Sequence, residues 1–374
     1  MKALFTTPAL FGEEGVYGGG ERYALGLARA VAGELGSATL YAAGRRAGER
    51  QDGSLRVVVR EPRFRVRGQA HNPFPRGLWT EVTDADVVHC FQHHITLTTV
   101  AVAMAKIRRI PVFVTDLGGG GWDLSSYVET ADWCTGLLHL SRFAASVAGR
   151  HGDARDGVLY GGVGAWERGS VGALDSASAS APIPQSPDPT ILFVGRLFPH
   201  KGPDVLIEAA DPDWNVVICG HAYDEQYLAD LRALAAGKRV TFLLSATDEE
   251  LAAQYARAAV VVVPSVGRDR YGGTTNVPEL LGLVALEAAA RGIPVVASDI
   301  ASLPEIVENG VTGLLVAPGD VAALQRAVGA LLADAPRRMA MGQAARRRAN
   351  ERFTWSAAAR TAVGAYRRAA GEPR

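Results

Sequence analysis

Four charged side chains in the second half of the chain have the types and spacing to hold a polyol and its phosphate. Glu279 and Glu287 bound the segment E-L-L-G-L-V-A-L-E, and apolar runs at 259–263 and 294–297 lie on either side of it. In open α/β sheets ligands bind beyond the carboxyl ends of strands, where helices begin, and acids placed there can grip hydroxyls. Arg196 and Lys201 stand earlier, in G-R-L-F-P-H-K-G-P, directly after the apolar run 191–194. Arginine offers a planar fork and lysine a mobile point charge, the two common ways of holding phosphate. Pro203 suits the first turn of a helix behind them. A third candidate is Gly18-Gly19-Gly20, followed by Glu21-Arg22 at the start of a helical pattern. Glycines let backbone N–H groups approach a ligand, and a helix N-terminus attracts anions.

The elements that must position these groups alternate. Strands are expected at 3–6, 38–41, 57–59, 87–90, 112–115, 137–140 and 158–160, with helices at 20–35, 96–107 and 143–150. Residues 176–189, S-A-S-A-S-A-P-I-P-Q-S-P-D-P, interrupt the pattern as a linker. It restarts with strands at 191–194, 216–219, 240–243, 259–263, 295–297 and 314–316. Helices follow at 203–210, 225–235, 248–257, 283–290, 321–332, 336–351 and 355–370. Strands separated by helices indicate βαβ units and parallel sheets. The expected fold is α/β, with two Rossmann-like doubly wound domains facing across a cleft.

Composition narrows the classes. The chain has 374 residues, enough for two domains, and 39 basic residues balance 39 acidic ones, so no basic field points to nucleic acid. Cys90, Cys134 and Cys219 are far apart and read as buried thiols of a cytoplasmic protein. No apolar run reaches the length of a membrane span. No His/Cys cluster suggests a metal, and Asp84-Ala85-Asp86, which imitates a metal-binding acid pair, runs straight into a strand and reads as its cap. No cofactor is expected.

In this order, V-G-R-L-x-x-x-K-G, the spaced glutamates, R-G-I-P-V-V-A-S, L-P-E-I-V-E-N-G-V-T-G-L-L-V-x-P-G-D and a terminal R-F-T-W resemble the retaining glycosyltransferases of family 4, which have the GT-B fold. The resemblance is strongest over 191–320. It implies an N-terminal acceptor domain (1–175, joined by the helix 355–374), the linker, and a nucleotide-sugar domain (190–354). It implies that Arg196 and Lys201 bind the donor diphosphate, that Glu279 binds the sugar and that Glu287 binds the ribose. Leu281, Gly282, Leu283 and Val284 would line the same donor site, and Gly18, Gly19 and Gly20 would approach it from the other domain. The catalytic set is then Arg196, Lys201 and Glu279, with no metal and no protein nucleophile.

The chain departs from the family in three places. Thirteen residues separate Ser265 from Glu279 where relatives have few, and these form either a lid or ligand contact or an extended surface loop. Leu280 replaces a glycine that usually lies near the sugar. Leu117 stands near the position of a histidine that approaches the reaction centre in relatives. Asp116, Trp122 and Asp123, in the glycine-rich D-L-G-G-G-G-W-D, and His93 and His94 are the candidate acceptor contacts. The acids Asp116, Asp123, Glu129 and Asp132 serve either ordinary capping and surface charge or a cationic acceptor, and His93 and His94 either touch the acceptor or have a helix-capping or structural role. The arginines of 63–67 are expected on one face of a strand, and Arg337, Arg338 and Arg346–Arg348 on the exposed side of a helix. The expected reaction moves a sugar from a nucleotide sugar, a UDP-sugar, to a small polar acceptor such as an aminosugar, an aminocyclitol or another natural-product intermediate. The alternatives are a lipid or polysaccharide-precursor transferase, a non-catalytic sugar-nucleotide binder, and an NADP oxidoreductase.

Overall fold

The computed structural model describes residues 1–10, 19–44, 46–66, 69, 72–74, 76–118, 123, 127–128, 130–149, 155–163 and 188–371. The chain forms two compact units, Met1–Gly162 with Trp355–Arg374, and Val163–Thr354.

In the first unit the order is β1 (Ala3–Leu10), α1 (Gly19–Leu35), β2 (Ala38–Ala43), β3 (Gly48–Asp52), β4 (Leu55–Arg60), α2 (Leu78–Thr83), β5 (Val87–Phe91), α3 (Thr96–Arg108), β6 (Val112–Thr115), β7 (Gly136–His139), α4 (Arg142–Val147) and β8 (Gly157–Val158). The eight-stranded sheet runs β3-β4-β2-β1-β5-β6-β7-β8 and is parallel except at β3. Parallel strands covered on both faces must be apolar throughout, and β5 and β7 are buried at every residue.

The second unit contains β9 (Thr190–Val194), α5 (Pro203–Ala209), β10 (Asn215–Cys219), α6 (Glu225–Leu234), β11 (Val240–Leu243), α7 (Asp248–Arg257), β12 (Ala258–Val263), α8 (Leu283–Ala290), β13 (Val295–Ser298), α9 (Leu303–Ile306), β14 (Gly313–Val316), α10 (Val321–Ala333) and α11 (Ala335–Arg352). Its six-stranded parallel sheet is ordered β11-β10-β9-β12-β13-β14. The order reverses between β9 and β12, and in open α/β sheets such a switch point, at the carboxyl ends of the strands, is where ligands bind. Arg196 and Lys201 leave β9, and Glu279 follows β12.

The last helix, α12 (Trp355–Ala369), belongs to the first unit and packs on α1. Its Tyr366 hydroxyl lies 2.5 Å from Nδ1 of the buried His89, whose Nε2 is 2.8 Å from the Thr115 hydroxyl. Burial holds the His89 imidazole far below its usual range, down to about 3. The boundary after Gly162 falls before the expected 175. Val163 donates its N–H to Phe353 O at 2.7 Å and pairs with Thr354, which ties this point to the end of α11.

Several elements differ from the sequence reading. Strand β3 (G-E-R-Q-D) has no apolar residue and therefore no hydrophobic signal; it is a charged edge strand, antiparallel to β4. The arginines beside it are paired: Arg56 with Glu49 (2.9 Å) and Glu81 (2.8 Å), and Arg60 with Glu49 (2.5 Å). The described part of 63–67 is not a strand. Arg65 makes only a single bridge with Pro73, while Phe64 stacks on Phe74 with ring centroids 4.7 Å apart.

The α11 arginines are not all on an exposed face. Arg338 is buried and donates to Leu331 O (2.7 Å) and Leu332 O (3.1 Å), the last carbonyls of α10. Arg346 donates to Arg291 O (2.7 Å) past the end of α8, and Arg348 to Glu305 O (3.1 Å) in α9. Helix ends leave carbonyls without partners, and guanidinium groups fill that need. Asp84 and Asp86 act locally, Asp84 pairing with the Lys2 ammonium (2.8 Å) and Asp86 accepting from the Lys2 backbone N (2.6 Å).

Candidate active site

The site in the second unit is built on a close approach of backbone. Gly202, at φ 70°, follows the short 3-10 turn Pro199–Lys201, and a Cβ there would lie 2.1 Å from Pro264 O. Only glycine lets the β9 and β12 loops come this near. Lys201 Nζ then reaches across and donates to Glu279 Oε1 (2.6 Å) and Pro278 O (2.9 Å). The Ser265 hydroxyl donates to the same carboxylate oxygen at 3.2 Å. Both side chains are partly shielded, Lys201 at 17% and Glu279 at 15% exposure. Glu279 is fixed from behind as well, since its carbonyl accepts from Ser302 Oγ at 3.1 Å.

Glu279 lies on the loop and Glu287 inside a helix, as the expected helix at 283–290 places them. Gly282 is left-handed (φ 81°) and α8 begins only at Leu283. Leu281 is buried, Leu283 and Val284 occupy the first turn of α8, and Leu280 stands half-buried beside Glu279. Glu287 Oε2 accepts from the Tyr255 hydroxyl at 2.8 Å. Arg291 completes the cluster, its guanidinium 4.5 Å from the Tyr255 ring centroid and its Nη1 donating to Glu287 O at 3.0 Å.

Arg196 is exposed, with its guanidinium 5.1 Å from the Phe198 ring centroid. Phe198 stacks on His200 (5.7 Å) and on Tyr223 (5.1 Å). Leu197 N donates to His221 O at 2.9 Å, which lays the β9 and β10 loops side by side. The His200 imidazole is held below its ordinary pKa by burial first, then by the Lys201 and Arg196 charges.

In the first unit, Gly18 and Trp122 lie outside the described residues. Gly19 begins α1, and a Cβ on Gly20 would meet Leu117 Cδ1 at 3.4 Å, so the helix N-terminus and the β6 loop adjoin. The β5 and β6 loops are knitted together. Gln92 Nε2 donates to Gly118 O (2.6 Å), and the Asp116 carboxylate accepts from His93 N (3.3 Å) and Gly118 N (3.2 Å). His93 Nε2 is 3.1 Å from the Thr130 hydroxyl, and its ring centroid lies 4.1 Å from that of His94. Gln92 and His94 both have positive φ, at 72° and 52°, unusual for side-chain-bearing residues and frequent at functional loops. Asp123 is an interior residue, 4% exposed, whose carboxylate accepts from Thr99 Oγ1 at 2.5 Å. Its negative charge is therefore turned into the fold, unlike that of Asp116.

Sequence reasoning missed Tyr255, Ser265, Ser302 and Gln92. Tyr255 is 32 positions from its partner, and no local pattern links them. Ser265 had a weak signal, a small polar residue directly after a buried strand and proline.

Residues 178–348 match the family Glycosyl transferases group 1. This part of the chain is similar to glycosyl transferases group 1 domains. The D-inositol 3-phosphate glycosyltransferase of Corynebacterium aurimucosum is 42% identical over 182 residues, which is 45% of this chain and 40% of that protein. The matched stretch thus spans well under half of that relative's length. Over the whole chain, sucrose-phosphate synthase from Thermosynechococcus elongatus superposes with a TM-score of 0.69 at 19% identity, covering 99% of both chains. Anabaena HepE in complex with UDP and glucose gives 0.66 at 19% identity, covering 97% of this chain and 98% of that one. The fold shared with these structures is GT-B, two Rossmann-like parallel-sheet domains.

Proposed function

We propose that the protein transfers a glycosyl group, with retention, from a nucleotide sugar, a UDP-sugar, to a small polar acceptor. The observation that carries this reading is the meeting of Lys201 and Glu279 at 2.6 Å, at the switch point between β9 and β12. In the proposed role the donor diphosphate takes Lys201 and Arg196, and the sugar hydroxyls take Glu279. Glu287, oriented by Tyr255, takes the ribose diol.

The bond from the anomeric carbon to the diphosphate oxygen breaks, leaving its electron pair on that oxygen. The acceptor oxygen bonds to the same face of the carbon, and its proton passes to the departing diphosphate. Fixed cations at the developing negative charge stabilise the transition state more than the ground state. Arg196 and Lys201 supply that charge, so the reading assigns no metal.

The relative's name points to a cyclitol phosphate as one acceptor to try, beside aminocyclitols and aminosugars. The loops of His93, His94, Asp116 and Trp122 are proposed to receive it. Asp116 carries the acidic character suited to a cationic acceptor, and Asp123 is left out of that set because of its burial.

The test is incubation with a panel of UDP-, GDP-, ADP- and dTDP-sugars and these acceptors, with released nucleotide as the readout. Donor-dependent release that requires acceptor supports the reading. Tight nucleotide binding with no release from any pair would point to a non-catalytic binder. Transfer only to lipid-linked acceptors would move the substrate class to membrane or polysaccharide precursors.

A further inference from the structure

The segment between Val266 and Pro278 departs most from the family pattern, and its contacts give it a role. It is a small hairpin. Asp269 N donates to Gly273 O (2.9 Å), Thr275 N to Gly267 O (2.8 Å), and the Asp269 carboxylate accepts from the backbone N of Tyr271 and Gly273, each at 2.9 Å. Its root is fastened to the loop after β9: Val266 N donates to His200 O at 2.8 Å, and Lys201 Nζ donates to Pro278 O.

The tip is fastened too. Arg270 Nη1 lies 3.4 Å from Glu208 Oε1 and 3.8 Å from Asp204 Oδ2, both on α5. The Tyr271 hydroxyl donates to Asp230 on α6. The Tyr271 ring meets Tyr227 edge-on at 6.0 Å, and the Tyr227 hydroxyl donates to Asp204 Oδ1 at 2.7 Å. Asp204 is 5% exposed, and burial raises its carboxyl pKa, so its two partners matter to it. Root and tip therefore both reach the stretch from His200 to Glu208, and the tip also reaches α6 through Asp230 and Tyr227. A lid needs a tip that can leave its resting surface; this one is tied down on two helices.

We propose that Arg270 and Tyr271 are positioning residues, which clasp the hairpin tip to α5 and α6 and so hold Glu279 and Lys201 at the separation that a donor's sugar and diphosphate require. The clasp rests on the transferase reading of the same site. In this role each acts through the loop that ends in Glu279. The hairpin sets donor affinity, and through the placement of Glu279 it sets which sugars are accepted.

The experiment is calorimetric titration of UDP, with GDP, ADP and dTDP in parallel, into the wild type, the Arg270→Ala/Tyr271→Phe double variant and Arg270→Lys. With the best nucleotide, the double variant should show a dissociation constant raised roughly 3- to 30-fold, the range for residues that act on a site through packing. The number of sites per chain should stay unchanged, and KM for the nucleotide sugar should rise in parallel. Arg270→Lys should recover most of the affinity. An unchanged dissociation constant overturns the clasp, and so does a lowered melting temperature with fewer sites of normal affinity, the mark of a merely stabilising hairpin. If the wild type binds none of the four nucleotides, the transferase reading itself fails and the clasp with it.

Discussion

Lys201 and Glu279 hold each other at 2.6 Å although one follows β9 and the other follows β12. In the proposed function the ammonium would face a donor's phosphate and the carboxylate its sugar hydroxyls. The pair keeps two charges oriented at a partly shielded site, and Ser265 prevents the carboxylate from depending on lysine alone.

Lys201→Ala should lower turnover by about 10²–10³, the cost of losing one preorganised donor to a developing negative charge. Steady-state kinetics with the best nucleotide sugar would show it mainly in kcat. Turnover equal to the wild type would remove Lys201 from the site.

Glu287→Ala should weaken nucleotide binding by about 1.5–3 kcal/mol, the range for a hydrogen bond to a charged group. Tyr255→Phe, which only deletes the hydroxyl bonded to Glu287, should cost about 0.5–1.5 kcal/mol. Calorimetry with UDP and 2′-deoxy-UDP separates the two origins. Loss of discrimination between them places Glu287 at the ribose, whereas an equal loss for both ligands would place the effect elsewhere.

His200 should take up protons when a diphosphate binds. Burial and the Lys201 and Arg196 charges depress its pKa, and an anion on those cations offsets their repulsion. At about pH 6, below the reference histidine value of about 6.5, binding enthalpies in two buffers of different ionisation enthalpy should reveal net uptake. The His200→Gln variant should show less. Equal uptake in both would assign the proton to another group.

His89 should make the first unit acid-sensitive. Its folded pKa is depressed from 6.5 to about 3, so the unfolded chain binds the extra proton throughout that interval. Stability is unaffected above 6.5 and falls as the pH drops toward 3, by about 1.4 kcal/mol per pH unit at most. Melting curves of the wild type and His89→Phe should converge in slope above pH 7 and diverge below 6. Parallel curves across that range would clear His89 of the effect.

Gly202→Ala should destabilise the second unit by about 1–3 kcal/mol, the cost of a side chain in a strained backbone conformation. Its Cβ would also press Pro264 O and spread the two loops. A fall of several degrees in melting temperature with weaker nucleotide binding is expected; an unchanged melting temperature would mean that the loops readily part.

The sequence by itself determined most of the parallel strands, because each is a short buried apolar run, but it marked neither α2 nor α9, which are short and have no side-chain cap. It also determined the loop after β9 that carries Arg196 and Lys201, and the break at Gly282 that puts Glu279 on a loop and Glu287 in α8, since glycine and proline act over a few residues. It did not determine β3, whose residues are all polar, or the arginines of α11, whose carbonyl partners lie on other elements. Only the tertiary structure decided that Tyr255 orients Glu287, that Asp123 points into the interior, and that Arg270 and Tyr271 clasp the hairpin to α5 and α6. The physical reason is common to these cases. Backbone preference and hydrophobic period are local quantities, while hydrogen bonds between side chains from different loops exist only once the sheet order has placed those loops side by side.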